Sequence, residues 1–308
     1  MKDLTQLDPV ALRTLAIAVR AGTFEAAARE LHVTPSAVSQ RIKALETRVG
    51  RVLVHRVKPI AATEAGDVLV RLAAQVELLE REAIAELVEG LPGGDEDAPY
   101  ATVPVAVTAD TLYAWLIDAL VAVQGSHRVT FEVIREDQTR TAELLRSGEV
   151  MAAITSDPRP VAGCRVVRLG AMRYLAVATP GYLRRHLPDG PTPAALEHAP
   201  LIAFDRDDTL QHDFLRKVTR RHLTPPVTWI PATGEFDSAV RRGMGWGMIP
   251  AAQVEEDLRR GRLVEPFPGR HTDVPLYWQH WRLGSAVMRD LTEAIVACAT
   301  PWLAKHGA

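Results

Sequence analysis

Apolar residues recur at three- and four-residue spacing from the start of the chain, the period of an amphipathic helix. Leu12, Leu15, Ala16 and Val19 predict a first helix that ends at Gly22. Thr23 can cap a second helix, Phe24 to Leu31, whose apolar side is Phe24, Ala27, Ala28 and Leu31. His32-Val33-Thr34 is a very short connector, so the next helix must turn sharply. Thr34 suits its N-cap and Pro35 its first position, where a missing N–H costs nothing. Val38, Ile42, Leu45 and Val49 make its buried stripe. Val52-Leu53-Val54 follows as a short β-prone stretch. From Thr63 to about Glu89 there is no proline, and Ala65, Leu69, Leu72, Val76, Leu79 and Ala83 form a heptad-like seam. That seam would serve a helix packed on its own domain or one paired with a second chain.

The pattern then changes. Gly90 to Pro99 is rich in breakers and acids, the clearest boundary in the chain. Beyond it, strands are predicted at Thr102–Val107, Val129–Ile134 and Met151–Thr155, and helices at Leu112–Val123 and Ala142–Arg146. Alternation of this kind argues for a mostly parallel sheet with helices on its faces. Val166–Ala178 opens a second lobe, and Pro275–Trp281 with a helix over Ala286–Cys298 returns to complete the first. The division expected is a head over 1–62, a linker helix over 63–90, a linker over 91–99 and a larger domain over 100–308. Within that domain, lobe 1 takes about 100–162 and 271–308 and lobe 2 about 163–270. Two crossings would leave a cleft between the lobes as the natural place for a ligand.

Composition narrows the class. Of the 308 residues, 47% are hydrophobic and 24% charged, the balance of an ordinary globular chain. No apolar run is long enough for a membrane span, and Met1 to Val10 has no apolar core of a signal peptide, so a cytoplasmic protein is expected. Cys164 and Cys298 match no metal or redox spacing, so no metal and no cofactor are expected. The net charge of −2 conceals an asymmetry: residues 1–62 hold ten Lys/Arg against five Asp/Glu, leaving −7 for the remainder. A basic head on an acidic body suits one domain that meets phosphates and another that does not.

The exposed side of the third helix carries the chemistry. Thr34, Pro35, Ser36, Ser39, Gln40 and Lys43 fall away from its apolar stripe, and small or amide side chains there can reach base edges in a major groove. Arg56 and Lys58 would sit on a wing against backbone or minor groove. A small helical bundle with a solvated basic face would show the same periodicity. Thr23-Phe24-Glu25-Ala26-Ala27-Ala28-Arg29-Glu30-Leu31 and Thr34-Pro35-Ser36-Ala37-Val38-Ser39-Gln40-Arg41-Ile42-Lys43-Ala44-Leu45-Glu46, with Leu53-Val54-His55-Arg56 and Thr63-Glu64-Ala65-Gly66, closely resemble the LysR-type transcriptional regulators. The resemblance implies an α/β protein with an N-terminal winged helix-turn-helix, a long linker helix and a two-lobed effector domain like a periplasmic binding protein. It also implies that Ser36, Ser39, Gln40 and Lys43 contact double-stranded DNA, and that chains pair as dimers or tetramers to read an inverted repeat. RNA polymerase enters as a further candidate partner.

For the effector, Thr108, Asp110 and Thr111 lead from the first strand into a helix, where N–H groups and hydroxyls favour a carboxylate. Asp110 would disfavour a simple dianion and suit an ammonium group; its bland alternative is an ordinary helix cap. Thr155 ends the third strand, Asp205, Asp207 and Asp208 follow an apolar run, and Glu235 precedes an expected helix. Gly243 to Pro250 is no dinucleotide loop, since no strand-to-helix turn surrounds it. Thr108 to Thr111, Asp205 to Asp208, Gly243 to Pro250 and Asp273 to Gln279 resemble the LysG/ArgP subgroup, regulators of basic amino-acid export that respond to lysine and arginine. An acidic site suits such ligands. The alternatives are another small metabolite or a DNA-binding protein without a ligand. An enzyme lacks support: the chain has no nucleophile elbow, phosphate loop or zinc helix.

Overall fold

The computed structural model describes residues 7–88, 100–136 and 138–304, so the breaker-rich linker expected over 91–99 lies outside the described residues. The helical head forms as its caps dictate. Helix α1 (Pro9–Ala21) starts at Asp8, whose carboxylate accepts the Val10 N–H at 3.0 Å, and ends at Gly22 with φ 69°. Thr23 caps α2 (Phe24–Glu30) through the Ala26 N–H at 3.1 Å. Thr34 caps α3 (Pro35–Val49) through the Ala37 N–H at 3.1 Å. Leu12, Leu15, Ala27, Val38, Ile42, Leu45 and Leu53 are buried together as the core of this head.

The wing is shorter and later than its sequence predicts, with β1 (Val54–His55) antiparallel to β2 (Ala61–Ala62). The reason lies in where the backbone of Leu53 finds partners. Its N–H donates to the Glu46 carboxylate at 2.9 Å, and its carbonyl accepts the Thr63 N–H at 2.9 Å, so it is fastened before the strand begins. Val52 is left exposed.

Helix α4 (Glu64–Val88) begins where the Thr63 hydroxyl accepts the Gly66 N–H at 3.1 Å. A Cβ on Gly66 would stand 2.0 Å from the Leu53 carbonyl oxygen, so only glycine lets helix and wing approach this closely. The helix packs on α1 with Gly66, Leu69, Val70, Ala73 and Leu78 buried. Of the expected heptad seam, Leu69 is buried in the chain's own packing, whereas Leu79 and Ala83 are exposed. Val68, Ile84 and Leu87 are exposed on the same helix.

Further along come β3 (Ala101–Val107), α5 (Ala109–Thr111), a π-helical turn (Leu112–Leu116), α6 (Ile117–Gln124), β4 (Val129–Arg135), α7 (Gln138–Ser147), β5 (Ala152–Thr155) and β6 (Cys164–Val177). Then follow α8 (Pro180–His186), α9 (Pro193–Leu196), β7 (Leu201–Ala203), α10 (Leu210–Thr219), β8 (Val227–Trp229) and α11 (Thr233–Arg241). The chain closes with β9 (Gly247–Pro250), α12 (Ala251–Arg259), β10 (His271–Trp281) and α13 (Ala286–Ala299). Among the described residues, no helix is long and apolar enough to cross a membrane.

The chain forms two compact units. The first takes the described parts of Met1–Val107, Leu120–Val167 and Trp278–Ala294. In it β3 runs parallel to β4, from Ala101 opposite Val129 to Val107 opposite Arg135, and parallel to β5 on its other side. Besides its packing, helix α4 is tied to this layer by hydrogen bonds from two of its side chains. The Arg71 guanidinium donates to the Arg146 carbonyl at the end of α7. The Glu82 carboxylate accepts the Ser285 hydroxyl and, at 3.1 Å, the Val287 N–H at the start of α13. Ser285 is itself buried, and its hydroxyl accepts the Met288 N–H at 3.1 Å.

The second unit takes Thr108–Ala119, Arg168–Tyr277 and the described part of Ile295–Ala308. Its core includes Val177, Ile202, Phe236, Val240, Ile249 and Val254. Here the parallel expectation holds only in part: β7 and β8 are parallel, whereas β6 and β9 are antiparallel. The alternation rule describes strands joined by one crossover, and β9 is reached from β6 only after several intervening elements. Gly243 to Gly247 carries the end of α11 into β9, a helix-to-strand return. Glu235 does not precede its helix but lies in the first turn of α11. Ala232, with no side-chain hydrogen bond, holds the cap position, so no polar residue marks that boundary.

Candidate functional site

The surface of α3 is built by its own periodicity. Val38 and Ile42 are fully buried, which fixes the rotation of the helix and turns the intervening positions outward. Thr34, Pro35, Ser36, Gln40 and Lys43 are exposed and Ser39 is half-buried. Thr34 spends its hydroxyl on the cap, so its contribution is to orient the helix start. Gln40, Lys43, Ala44, Thr47 and Arg48 line a shallow open groove. Thr47 and Arg48 were not singled out from sequence, although they continue the same face.

Arg56 and Lys58 lie exposed in the wing loop between β1 and β2. Arg56 Nη2 approaches Glu46 Oε2 at 3.4 Å, and its guanidinium stands 5.9 Å from the centre of the Phe24 ring. Glu46, with one oxygen on the Leu53 N–H and the other toward Arg56, ties the wing to α3. Its position inside the helix gives no sequence sign of this.

The effector candidates divide between the units. Thr108, Asp110 and Thr111 lie in the second. Thr108 Oγ1 caps α5, accepting the Thr111 N–H at 3.4 Å, and stands 2.9 Å from Thr111 Oγ1, so the two hydroxyls satisfy each other. Asp110 is therefore not the cap. Its Oδ2 accepts the Tyr174 hydroxyl at 2.6 Å, and Thr233 donates a second side-chain hydrogen bond. Burial pushes the Asp110 carboxyl up, the Tyr174 hydrogen bond opposes this, and the nearby charges of Asp208 and Asp237 push it up further. Burial also raises the Tyr174 phenol far above its ordinary value, helped by the Asp110 charge. Asp237, raised by burial, is partly compensated by Arg241 at 3.0 Å.

Asp205 and Asp207 are exposed in the loop after β7, and Asp205 Oδ1 accepts the N–H groups of Asp207 and Asp208 at 2.9 Å. Asp208 is half-buried, receiving the Phe204 N–H at 3.1 Å and the Leu210 N–H at 3.0 Å. Glu235 is exposed. Thr155 belongs to the first unit, buried, with its hydroxyl accepting the Asp157 N–H at 3.1 Å. The structure thus gathers Thr108, Asp110 and Thr111 and adds Tyr174, Thr233, Asp208 and Asp237 around Asp110. Tyr174 was missed because an isolated tyrosine in an apolar strand reads as core. Its polar tip was the available signal, since a buried phenol needs a partner. Among the described residues, no three His, Cys, Asp or Glu side chains converge as a metal site requires.

Comparison with known proteins identifies both parts. The bacterial regulatory helix-turn-helix family of the lysR type matches residues 10–67, and the LysR substrate binding domain matches residues 98–298. The chain is 46% identical over 295 residues to the transcriptional regulator LysG of Mycobacterium tuberculosis, covering 96% of this chain and 94% of that one. Its fold matches the crystal structure of ArgP from Mycobacterium tuberculosis with a TM-score of 0.85 at 45% identity, covering 98% of this chain and 100% of that one. It also matches full-length LysG from Corynebacterium glutamicum with bound effector Arg, with a TM-score of 0.81 at 38% identity over 96% and 99% of the two chains. Matches across both parts and nearly the full length place this chain in the LysR family, as a DNA-binding transcriptional regulator and not an enzyme.

Proposed function

We propose that this regulator senses a basic amino acid, arginine or lysine, and controls a gene for its export. The observation that carries the reading is Asp110: a half-buried carboxylate that caps no helix and whose strongest charged neighbours are other acids. A negative charge left uncompensated in this way is costly alone and favourable beside a cation. The arginine bound to the Corynebacterium glutamicum relative supports the same ligand class. Within the second unit, Thr108, Thr111, Asp205, Asp207 and Glu235 are the further candidate effector contacts.

In the same reading residues 1–62 are the DNA-binding head, 63–90 the linker helix and 100–308 the effector domain, working in the cytoplasm. Ser36, Ser39 and Gln40 read bases in a promoter inverted repeat, with Thr34 and Pro35 at the helix start. Lys43, Arg56 and Lys58 meet phosphates. The apolar residues left exposed on α4 pair two chains, giving a dimer or, by doubling in the manner of the family, a tetramer. RNA polymerase is the expected downstream partner.

Thermal unfolding of the full chain across arginine, lysine, neutral and acidic amino acids tests the effector. At 100 times its dissociation constant a ligand adds about 2.7 kcal/mol to native stability. A shift with arginine or lysine alone is expected; a flat response to both removes the assignment. For the head, Lys43→Ala should weaken operator and random DNA alike and lower the salt slope by about one. An unchanged slope removes Lys43 from the phosphate contacts.

A further inference from the structure

Tyr174 and Asp110 come from distant parts of the sequence, β6 and α5, and meet within the second unit. The tyrosine is only 8% exposed, and its hydroxyl donates to Asp110 Oδ2 at 2.6 Å. A phenylalanine would fill the same apolar space, so the hydroxyl is there for the carboxylate. Asp110 is not needed to cap its helix, because Thr108 does that.

The charges around Asp110 give the hydrogen bond a purpose. The charges of Asp208, in the loop before α10, and of Asp237, on α11, act on it, and Arg241 pairs with Asp237. Burial beside two acids drives a carboxyl toward its neutral form, and a neutral carboxyl does not select a cation. The Tyr174 hydroxyl, with Thr233, works in the opposite direction and holds the anionic form. It also engages one carboxylate oxygen, which restricts how the group can rotate.

We propose that Tyr174 is a specificity-determining positioning residue, whose hydroxyl fixes the Asp110 carboxylate so that the sensor separates a cationic side chain from a neutral one of the same shape. This rests on the reading of Asp110 as the acceptor of the effector cation. The ligands that expose it are arginine and citrulline, nearly identical in shape, one charged and one neutral.

Calorimetric titration of the full-length protein with each, from pH 5 to 8, tests the proposal. Tyr174→Phe should reduce the preference for arginine over citrulline by about tenfold or more, the size expected for one hydrogen bond to a charged group. Its loss of arginine affinity on acidification should begin at higher pH than in the wild type, since removing a donor to the anion raises the carboxyl further. Asp208→Asn removes a like charge and should move that profile to lower pH, a second reading that does not depend on the tyrosine variant folding. An equal loss for both ligands with an unmoved profile would show a packing role only and overturn the proposal. Asp110→Asn distinguishes the two levels. If it binds arginine as tightly as the wild type, the effector reading itself fails. If it loses arginine while Tyr174→Phe keeps both selectivity and profile, only the role of Tyr174 fails.

Discussion

Gly66 offers the sharpest test of how the head is assembled. An alanine there would place its Cβ 2.0 Å from the Leu53 oxygen, 3.0 Å from the Leu53 carbonyl carbon and 3.1 Å from the Ala62 Cβ. Two of these three atoms are backbone, so no side chain can swing aside, and α4 or the wing must move by about an ångström. Overpacking of this kind costs about 1–3 kcal/mol. Gly284 provides the internal control, because a Cβ there meets nothing within 4 Å and its φ is not in the left-handed region. Gly284→Ala should therefore be neutral or stabilise by up to about 1 kcal/mol through the unfolded chain. All six tryptophans and five tyrosines lie at residue 100 or beyond, so tryptophan fluorescence does not report on the head. Far-UV circular dichroism reports on both. Gly66→Ala should lower the melting of the head seen by circular dichroism, about 4–8 °C per kcal/mol for a domain of this size. Hydrogen exchange would locate the loss at Leu53 and Thr63, whose backbone bond joins the two segments. If the two variants melt within about 0.5 kcal/mol of each other, the close approach of helix and wing is not a constraint and the reasoning is refuted.

Two further predictions concern the carboxylates. Glu82→Ala removes the acceptor for the Ser285 hydroxyl and the Val287 N–H and should cost about 1–2 kcal/mol in thermal unfolding, with Glu82→Gln milder; equal stability of all three would discount the cap. Asp257 is held below its ordinary 3.8 by the Arg241 hydrogen bond and, less strongly, by Arg262. A depressed carboxyl contributes stability that is complete above its unfolded pKa and is lost as pH falls through the folded value, so this contribution begins to fall near pH 3.8 and is gone below the lower folded value. Arg241→Ala should flatten that part of the stability curve and also cost about 1–3 kcal/mol at neutral pH, because buried Asp237 loses its partner. An unchanged curve would exclude the pairing.

What could be read in the sequence was local. Thr23 and Thr34, three residues before the N–H groups they accept, and Gly22, left-handed after α1, signal boundaries through neighbours alone. The exposed face of α3 followed from its buried stripe for the same reason. Partners far along the chain left no such mark. Tyr174 and Asp110 are 64 residues apart and Glu82 and Ser285 203 apart, so period and propensity cannot pair them. Helix α4 shows a third limit. Its apolar residues cover more than one side, and the sequence cannot say that Ala73 and Leu78 are taken by this chain while Leu79 and Ala83 are left open. The start of α11 escaped the sequence because Ala232 holds its cap position with no side-chain hydrogen bond, so no polar residue shows that Glu235 already lies in the first turn.

The two attachments of α4 have a mechanical consequence. Arg71 and Glu82 are eleven residues apart, about 16 Å along a helix, and each grips a different element of the first unit. One grip would leave a rod free to pivot; two at that separation fix its direction. A slide of α4 along its axis by one turn would carry Glu82 about 5 Å from Ser285 and bare the start of α13. The rod therefore resists piston motion, and any tilt of α7 and α13 reaches the DNA-binding head as leverage, a small angle at the grips becoming a larger displacement at α3.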